Sequence, residues 1–498
     1  MSRILKYLAG FCYERKERDS QRRRDRKVFS AGSSCTGRLI HSAARCVSSH
    51  LCEKGKRAQQ LGVMSYVLLF VLLVACRPIV APTGSQPDSS LAGGRLAYIG
   101  GDGNIYVTDA ELTENRAITT DATVVAEGNG RSYHRLAWSP GGQLAYAAVE
   151  RDYPTIQSEL YITDLTSEPV QVGTSDSHFV IYLAWSPAPC APDDGCRQLA
   201  YLIGGDETID LRLAALRSGV PVSATAAMDV DSQLIISNEV VGSGRPFYFS
   251  WSPAGEMLLW HTGGAQRFNP DAILAHYNVR TKQVQPLDQP PGLFQAPAWS
   301  PNHSGWVDVV AVDGQQQLRY VQNAERTIVL AEPAYDAVFA WSPDGKKIAF
   351  ATRRHVDDPF YSPIQLFEIA TGTTTTLTER GLHIQAFFWA PDSMRLGYIN
   401  WLALPDQDWA QWRTINVVSG EDRGFNAFYP SFHMRTMIGS FNQYAQSHRL
   451  WSPDGQYLVY ADRDAALVER VWLVDTLAPK GTNPRLVDEG AIGIWSWE

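Results

Sequence analysis

The sequence predicts an all-β fold, a single β-propeller of about eight four-stranded blades whose ring is closed by pairing of the N- and C-terminal strands. The tripeptide Trp-Ser-Pro stands at Trp138, Trp185, Trp251, Trp299, Trp341 and Trp451, where average composition would supply it well under once in 498 residues. Weaker copies at Trp389 and Trp495 complete eight positions, separated by 47, 66, 48, 42, 48, 62 and 44 residues, the period of propeller blades. Between them one order of elements recurs. It is an alternating apolar strand ending in tryptophan, a tight turn, and three more short strands.

The unit around Trp341 shows why each element forms. Ala337 to Trp341 is apolar and β-prone; Pro343 fixes φ at the first corner of a turn, and Asp344-Gly345 supplies the bend and the positive φ that reverse the chain. Lys347 to Phe350, Gln365 to Ile369 and Thr374 to Leu377 follow as strands. The indole fills the space between neighbouring sheets, a packing role that competes with reading the eight rings as a row for stacking a ligand. At the N-terminal end Gly94 to Tyr98, Asn104 to Val107 and Arg116 to Thr119 form three strands with no tryptophan strand before them. Ile492 to Trp497 provides the missing one, so the count comes to seven complete blades and one composite blade with no free sheet edge.

Ahead of the repeats the chain reads as four successive regions. Residues 1–63 hold 15 Lys or Arg against 5 Asp or Glu, with no apolar period, and read as a basic leader, disordered or translated from a start too far upstream. Residues 64–75 contain the ten-residue apolar run Tyr66 to Ala75, the length of a signal-peptide core. Leu73-Val74-Ala75-Cys76 resembles the bacterial lipobox, which implies lipid attachment at Cys76 and a membrane-anchored lipoprotein of the bacterial cell envelope facing outside the cytoplasm. A short membrane anchor with a basic cytoplasmic tail is the alternative. Residues 76–93, rich in Pro, Ser and Gly, read as a flexible tether, and 94–498 as the propeller.

Four of the seven cysteines lie in the leader and one is Cys76, leaving Cys190 and Cys196 inside an insertion after Trp185. Export favours a disulfide between them; free thiols or half a metal site are the alternatives. From residue 64 onward 29 basic residues face 47 acidic ones, a net charge of −18 that excludes nucleic acid as an expected partner.

The Trp-Ser-Pro-Asp-Gly repeats resemble the PD40 or TolB-type (WD40-like) propeller family over residues 94–498. Members of that type carry six blades behind an α/β domain and bind other envelope proteins. Only 17 residues separate Cys76 from Gly94, so the resemblance covers the repeats alone and does not extend to a partner.

In a four-stranded blade the first-to-second and third-to-fourth turns share one face, and the remaining connections share the other. Long segments fall on the second face and carry Tyr153, Phe268, His355, Tyr361, Trp401, Trp409, Tyr429 and His433, the mixed aromatic and charged composition of a binding surface; loops packing on one another are the alternative. His178, Asp336 and His383 each precede a blade's tryptophan by several residues and would share one channel mouth, where a metal or small ligand is conceivable. No nucleophile elbow, zinc-protease motif, phosphate loop or EF-hand is present. The expected function is therefore non-enzymatic: a monomeric ring without cofactor that binds a protein or glycan through its long-loop face. A propeller hydrolase or lyase with its site at the channel mouth is the alternative.

Overall fold

The computed structural model describes residues 94–498 apart from 124–128, 153–154, 177, 191–195, 206–207, 218–234, 264–270, 324–325, 356 and 405–406. The chain divides into two compact units, Met1–Pro87 and Asp88–Glu498, and the described residues all belong to the second. The leader, the apolar run, Cys76 and the tether lie outside the described residues, as do Tyr153 and Phe268.

Strands β1 (Arg95–Gly100), β2 (Ile105–Asp109) and β3 (Asn115–Ala117) open the ring. Six antiparallel four-stranded meanders follow. They are β4–β7 (Gly130–Trp138, Leu144–Asp152, Thr155–Thr163, Val170–Asp176), β8–β11 (Phe179–Trp185, Cys196–Gly204, Ile209–Arg217, Ile235–Gly244) and β12–β15 (Phe247–Trp251, Met257–Thr262, Ile273–Asn278, Gln283–Pro286). Next come β16–β19 (Ala298–Trp299, Trp306–Val312, Gln315–Asn323, Arg326–Ala331), β20–β23 (Ala337–Trp341, Lys347–Thr352, Gln365–Glu368, Thr373–Thr376) and β24–β27 (Ile384–Trp389, Arg395–Leu404, Gln407–Asn416, Asp422–Phe428). Helices α1 (Phe432–Gly439) and α2 (Phe441–Tyr444) precede β28 (Tyr457–Arg463), β29 (Glu469–Asp475) and β30 (Arg485–Trp495). Inner strands are covered on both faces by neighbouring blades and are buried throughout, as in β20, whereas outer strands such as β15 and β23 lie at the rim and are exposed along their length.

The expectation of about eight blades is corrected by the sheet order: the ring has seven blades. The seventh is a six-stranded sheet, β28-β29-β30-β1-β2-β3. Its cause is β30, eleven unbroken residues long. Arg485 to Glu489 pair with β29 and Gly490 to Trp495 pair with β1, so one strand does the work assigned to the outer strand of one blade and the inner strand of the next. The terminal strands do pair, with Leu96 opposite Trp495 and Ile99 opposite Ile492.

The repeat motif has a physical basis at each letter. The tryptophan Nε1–H donates to the carbonyl that precedes the tryptophan of the neighbouring inner strand: Trp185 to Ala137, Trp251 to Ala184, Trp341 to Ala298 and Trp389 to Ala340 at 3.1 Å, Trp451 to Phe388 at 3.0 Å, and Trp138 to Ile494 at 3.2 Å. The indole is thus a polar stitch as well as apolar filling. The serine is fully buried and closes the turn, as where Ser342 Oγ donates to Asp344 Oδ1 at 2.6 Å and accepts from the Lys347 amide at 2.9 Å. Gly345 is needed at φ +66° to finish that turn. Gly397 of β25 serves in a different way, because a Cβ there would lie 3.1 Å from the Trp451 ring, a tight contact.

Candidate functional site

The ring's centre is occupied by its own chain. Between β27 and β28, residues 431–448 leave the rim and enter the channel as α1 and α2, carrying Met434, Met437, Ile438, Phe441 and Tyr444 into the main core. Ser431 caps α1 by accepting from the Met434 amide at 3.1 Å. Gln443 docks the plug on β12 as a strand would, its amide nitrogen donating to the Phe249 carbonyl at 2.6 Å and its oxygen accepting from the Phe249 amide at 2.9 Å. The Phe441 ring packs 4.9 Å from Phe387, Tyr444 lies edge-on to Tyr182 at 5.4 Å, and Gln446 Nε2 donates to the Pro297 carbonyl at 3.1 Å. One short segment therefore touches blades all around the ring.

The plug closes the channel part-way and leaves a cavity of 290 Å³ on the side of the tryptophan turns. Its wall is built from the repeat itself: Trp185, Trp251, Trp299, Trp341, Trp389 and Trp451, with the turn prolines Pro187, Pro253, Pro301 and Pro343 at the rim. Its floor is polar, formed by Gln443, Gln446, Ser447, His448 and Arg449. His448 is 6% exposed, accepts or shares a proton with Ser447 Oγ at 2.7 Å, and burial holds its pKa down at about 3, so its ring is neutral.

Arg449 is the unusual group. Its guanidinium stacks on the Trp497 ring at 4.1 Å, its buried Nε has no hydrogen-bond partner, and it makes no ion pair among the described residues. Burial lowers its pKa to about 10, which leaves it charged at neutral pH. Trp497 itself is anchored by donating its indole N–H to the Trp138 carbonyl at 2.8 Å.

The residues singled out on the second face have mixed fates. The segments around Glu150 to Glu159 and Asn400 to Gln411, expected as loops, are paired hairpin strands, with Asp152 opposite Thr155 and Trp401 opposite Ala410. Trp409 is half-buried on the second of these hairpins, and Trp401 is 9% exposed. Trp401 and Tyr429 share Arg435, whose guanidinium lies 5.9 and 5.4 Å from their rings and donates to Tyr429 Oη at 2.9 Å. His433 belongs to the plug, where burial lowers its pKa to about 4. His355 remains at the surface, paired with Asp357 at 3.4 Å.

His178, Asp336 and His383 are engaged separately. Asp336 holds Arg353 through two bonds of 2.6 Å and accepts from Tyr361 Oη at 3.2 Å. His383 stacks on Phe360 at 4.8 Å, and His178 is exposed with Nδ1 3.1 Å from the Asp176 carbonyl. No cluster of three His, Cys, Asp or Glu able to hold a metal occurs among the described residues. Cys190 and Cys196 are joined as a disulfide with Cα atoms 5.3 Å apart.

Sequence reasoning missed the plug and with it Gln443, His448 and Arg449. The signal was there: Met434, Met437, Ile438, Phe441 and Tyr444 recur at the helical three-and-four spacing inside a chain otherwise patterned in twos.

No protein-family model matches the sequence, and no curated protein matches it. Among solved structures, the chain is similar to TolB from Acinetobacter baumannii at 13% identity and a TM-score of 0.35, over 67% of this chain and 77% of that one. It is similar to the β-propeller domain of the Trilobed protease from Pyrococcus furiosus at 9% identity and 0.42, over 72% and 96%. It is also similar to a eukaryotic initiation factor at 9% identity and 0.44, over 81% and 98%. At these TM-scores none of them bears on function.

Proposed function

We propose that the chain is a non-catalytic binding scaffold of the bacterial cell envelope, anchored by lipid at Cys76, which holds a protein or glycan partner through the face bearing its long hairpins. The observation that carries this reading is the shape of that face. The hairpins β5–β6 and β25–β26 are ladders of nine and ten paired positions, rigid by hydrogen bonding rather than mobile as loops. The internal plug supports the same reading, because it stiffens the centre against which those hairpins stand. Gly94, the first described residue, lies beside Pro453 and Glu498, in the turns of the opposite face.

Two measurements test the reading. A mass spectrum of protein from a bacterial membrane fraction should show a diacylated N-terminus at residue 76 that Cys76→Ala abolishes. A photo-crosslinking side chain placed at Thr155 or Trp409 should capture a discrete partner in intact cells, whereas one at Val418, 76% exposed on the tryptophan-turn face, should not. Unlipidated protein that retains its leader overturns the anchor; capture from Val418 alone overturns the choice of face.

A further inference from the structure

We infer that the plugged channel is a binding site for a small organic anion with a flat aromatic or otherwise apolar body, its charge paired with Arg449 and its body against the tryptophan wall. This goes beyond the scaffold reading and uses the opposite face of the ring.

Three observations combine. The cavity of 290 Å³ is about twice the ~150 Å³ apolar cavity that holds one benzene, so it admits a molecule of one or two rings but no folded partner. Its wall is a rosette of indoles, whose faces favour flat apolar bodies. Among the described residues its floor carries one positive charge with no counter-charge: His448 is neutral, Arg449 has no acidic partner, and no aspartate or glutamate lines the cavity. A cation withdrawn from water is balanced when an anion arrives, and a guanidinium offers a carboxylate or sulfonate two parallel hydrogen bonds. Trp497 covers the guanidinium plane from one side and Nε is sealed from solvent, so the terminal nitrogens at the guanidinium edge are what a ligand can meet. Ser250 and Gln446 add neutral groups that can orient a ligand without competing for the charge, while both amide atoms of Gln443 are held by Phe249.

Two other places among the described residues do not make such a site. His276 Nε2 lies between Trp299 and Trp306 with no charge beside it, and the second cavity, between Arg135 and His433, measures only 20 Å³.

The test uses the mature chain from residue 76, with 1-naphthoate as probe and 2-naphthol as its uncharged counterpart, followed by tryptophan quenching and calorimetry. The expected result is saturable binding of naphthoate at one site, at least tenfold tighter than 2-naphthol. Arg449→Met should remove that discrimination by weakening naphthoate about tenfold while leaving 2-naphthol unchanged, and Arg449→Lys should restore part of it. No saturable binding, or equal affinity of the wild-type protein for both probes, overturns the inference, and this wild-type comparison decides even if Arg449→Met does not fold. Discrimination that survives in a folded Arg449→Met protein overturns the assignment to Arg449. Naphthoate binding only after residues 77–93 are removed would also overturn it, by making that segment of the chain the occupant.

Discussion

The indole of Trp138 donates to the carbonyl of Ile494 at 3.2 Å, across 356 positions of sequence. The same bond recurs between consecutive repeats elsewhere, so the contact that closes the ring is the contact that builds it.

Trp138→Phe keeps most of the packing and deletes the donor, and should cost about 1 kcal/mol more than Trp299→Phe. Trp299 is the control because its buried Nε1 has no partner to lose. Urea midpoints of the two variants, measured with unchanged slopes, give the comparison; equal losses would show that the indole bond adds nothing to packing.

Asp308 is fully buried in β17 and grips Arg319 through bonds of 2.9 and 3.0 Å while accepting from the Trp306 indole at 2.9 Å. Asp308→Ala leaves a nearly buried guanidinium uncompensated and should destabilise by roughly 3–5 kcal/mol. Adding Arg319→Met should recover part of that loss. A double-mutant cycle by denaturant unfolding reads the coupling, and additive effects would count against the pair.

Acid should loosen the ring. Burial depresses the pKa of His448 to about 3 and that of His261, 1% exposed, to about 4, against about 6.5 in an unfolded chain. Between about pH 6.5 and about 4 the unfolded state therefore binds protons that the native state refuses, and stability falls as the pH falls through that window. Each histidine contributes up to roughly 3 kcal/mol. Urea midpoints at pH 7, 5.5 and 4.5 should decline, and His448→Gln should flatten the curve by up to one proton; an unchanged slope would mean that His448 is protonated without cost.

How much of this was legible beforehand follows the chemistry of particular residues. Trp341, Ser342, Pro343 and Gly345 wrote the first strand and turn of their blade almost to the residue, because each performs a local task that repeats. The blade count failed at Arg485 to Trp495, where no proline, asparagine or turn pair marks where one strand's duty ends and the next begins; only pairing with β29 and β1 reveals that one strand does both. The cavity was hidden for another reason. Its tryptophans were visible and were given a packing role, but a ring has two sides, and the side facing the channel depends on a plug that comes from a single connection.

The seam has a mechanical consequence. β1 begins at the point where the chain enters the ring and is paired at five positions with β2 on one side and at five with β30 on the other. Tension arriving through the preceding residues pulls along the axis of β1, against two ladders in shear, so the bonds share the load instead of opening one after another. Stretching a single molecule from residue 94 against an anchor at Asp152 should give one high rupture force, and a gradual low-force opening would contradict it. A ring held to a surface by its first strand is pulled where it is sewn twice.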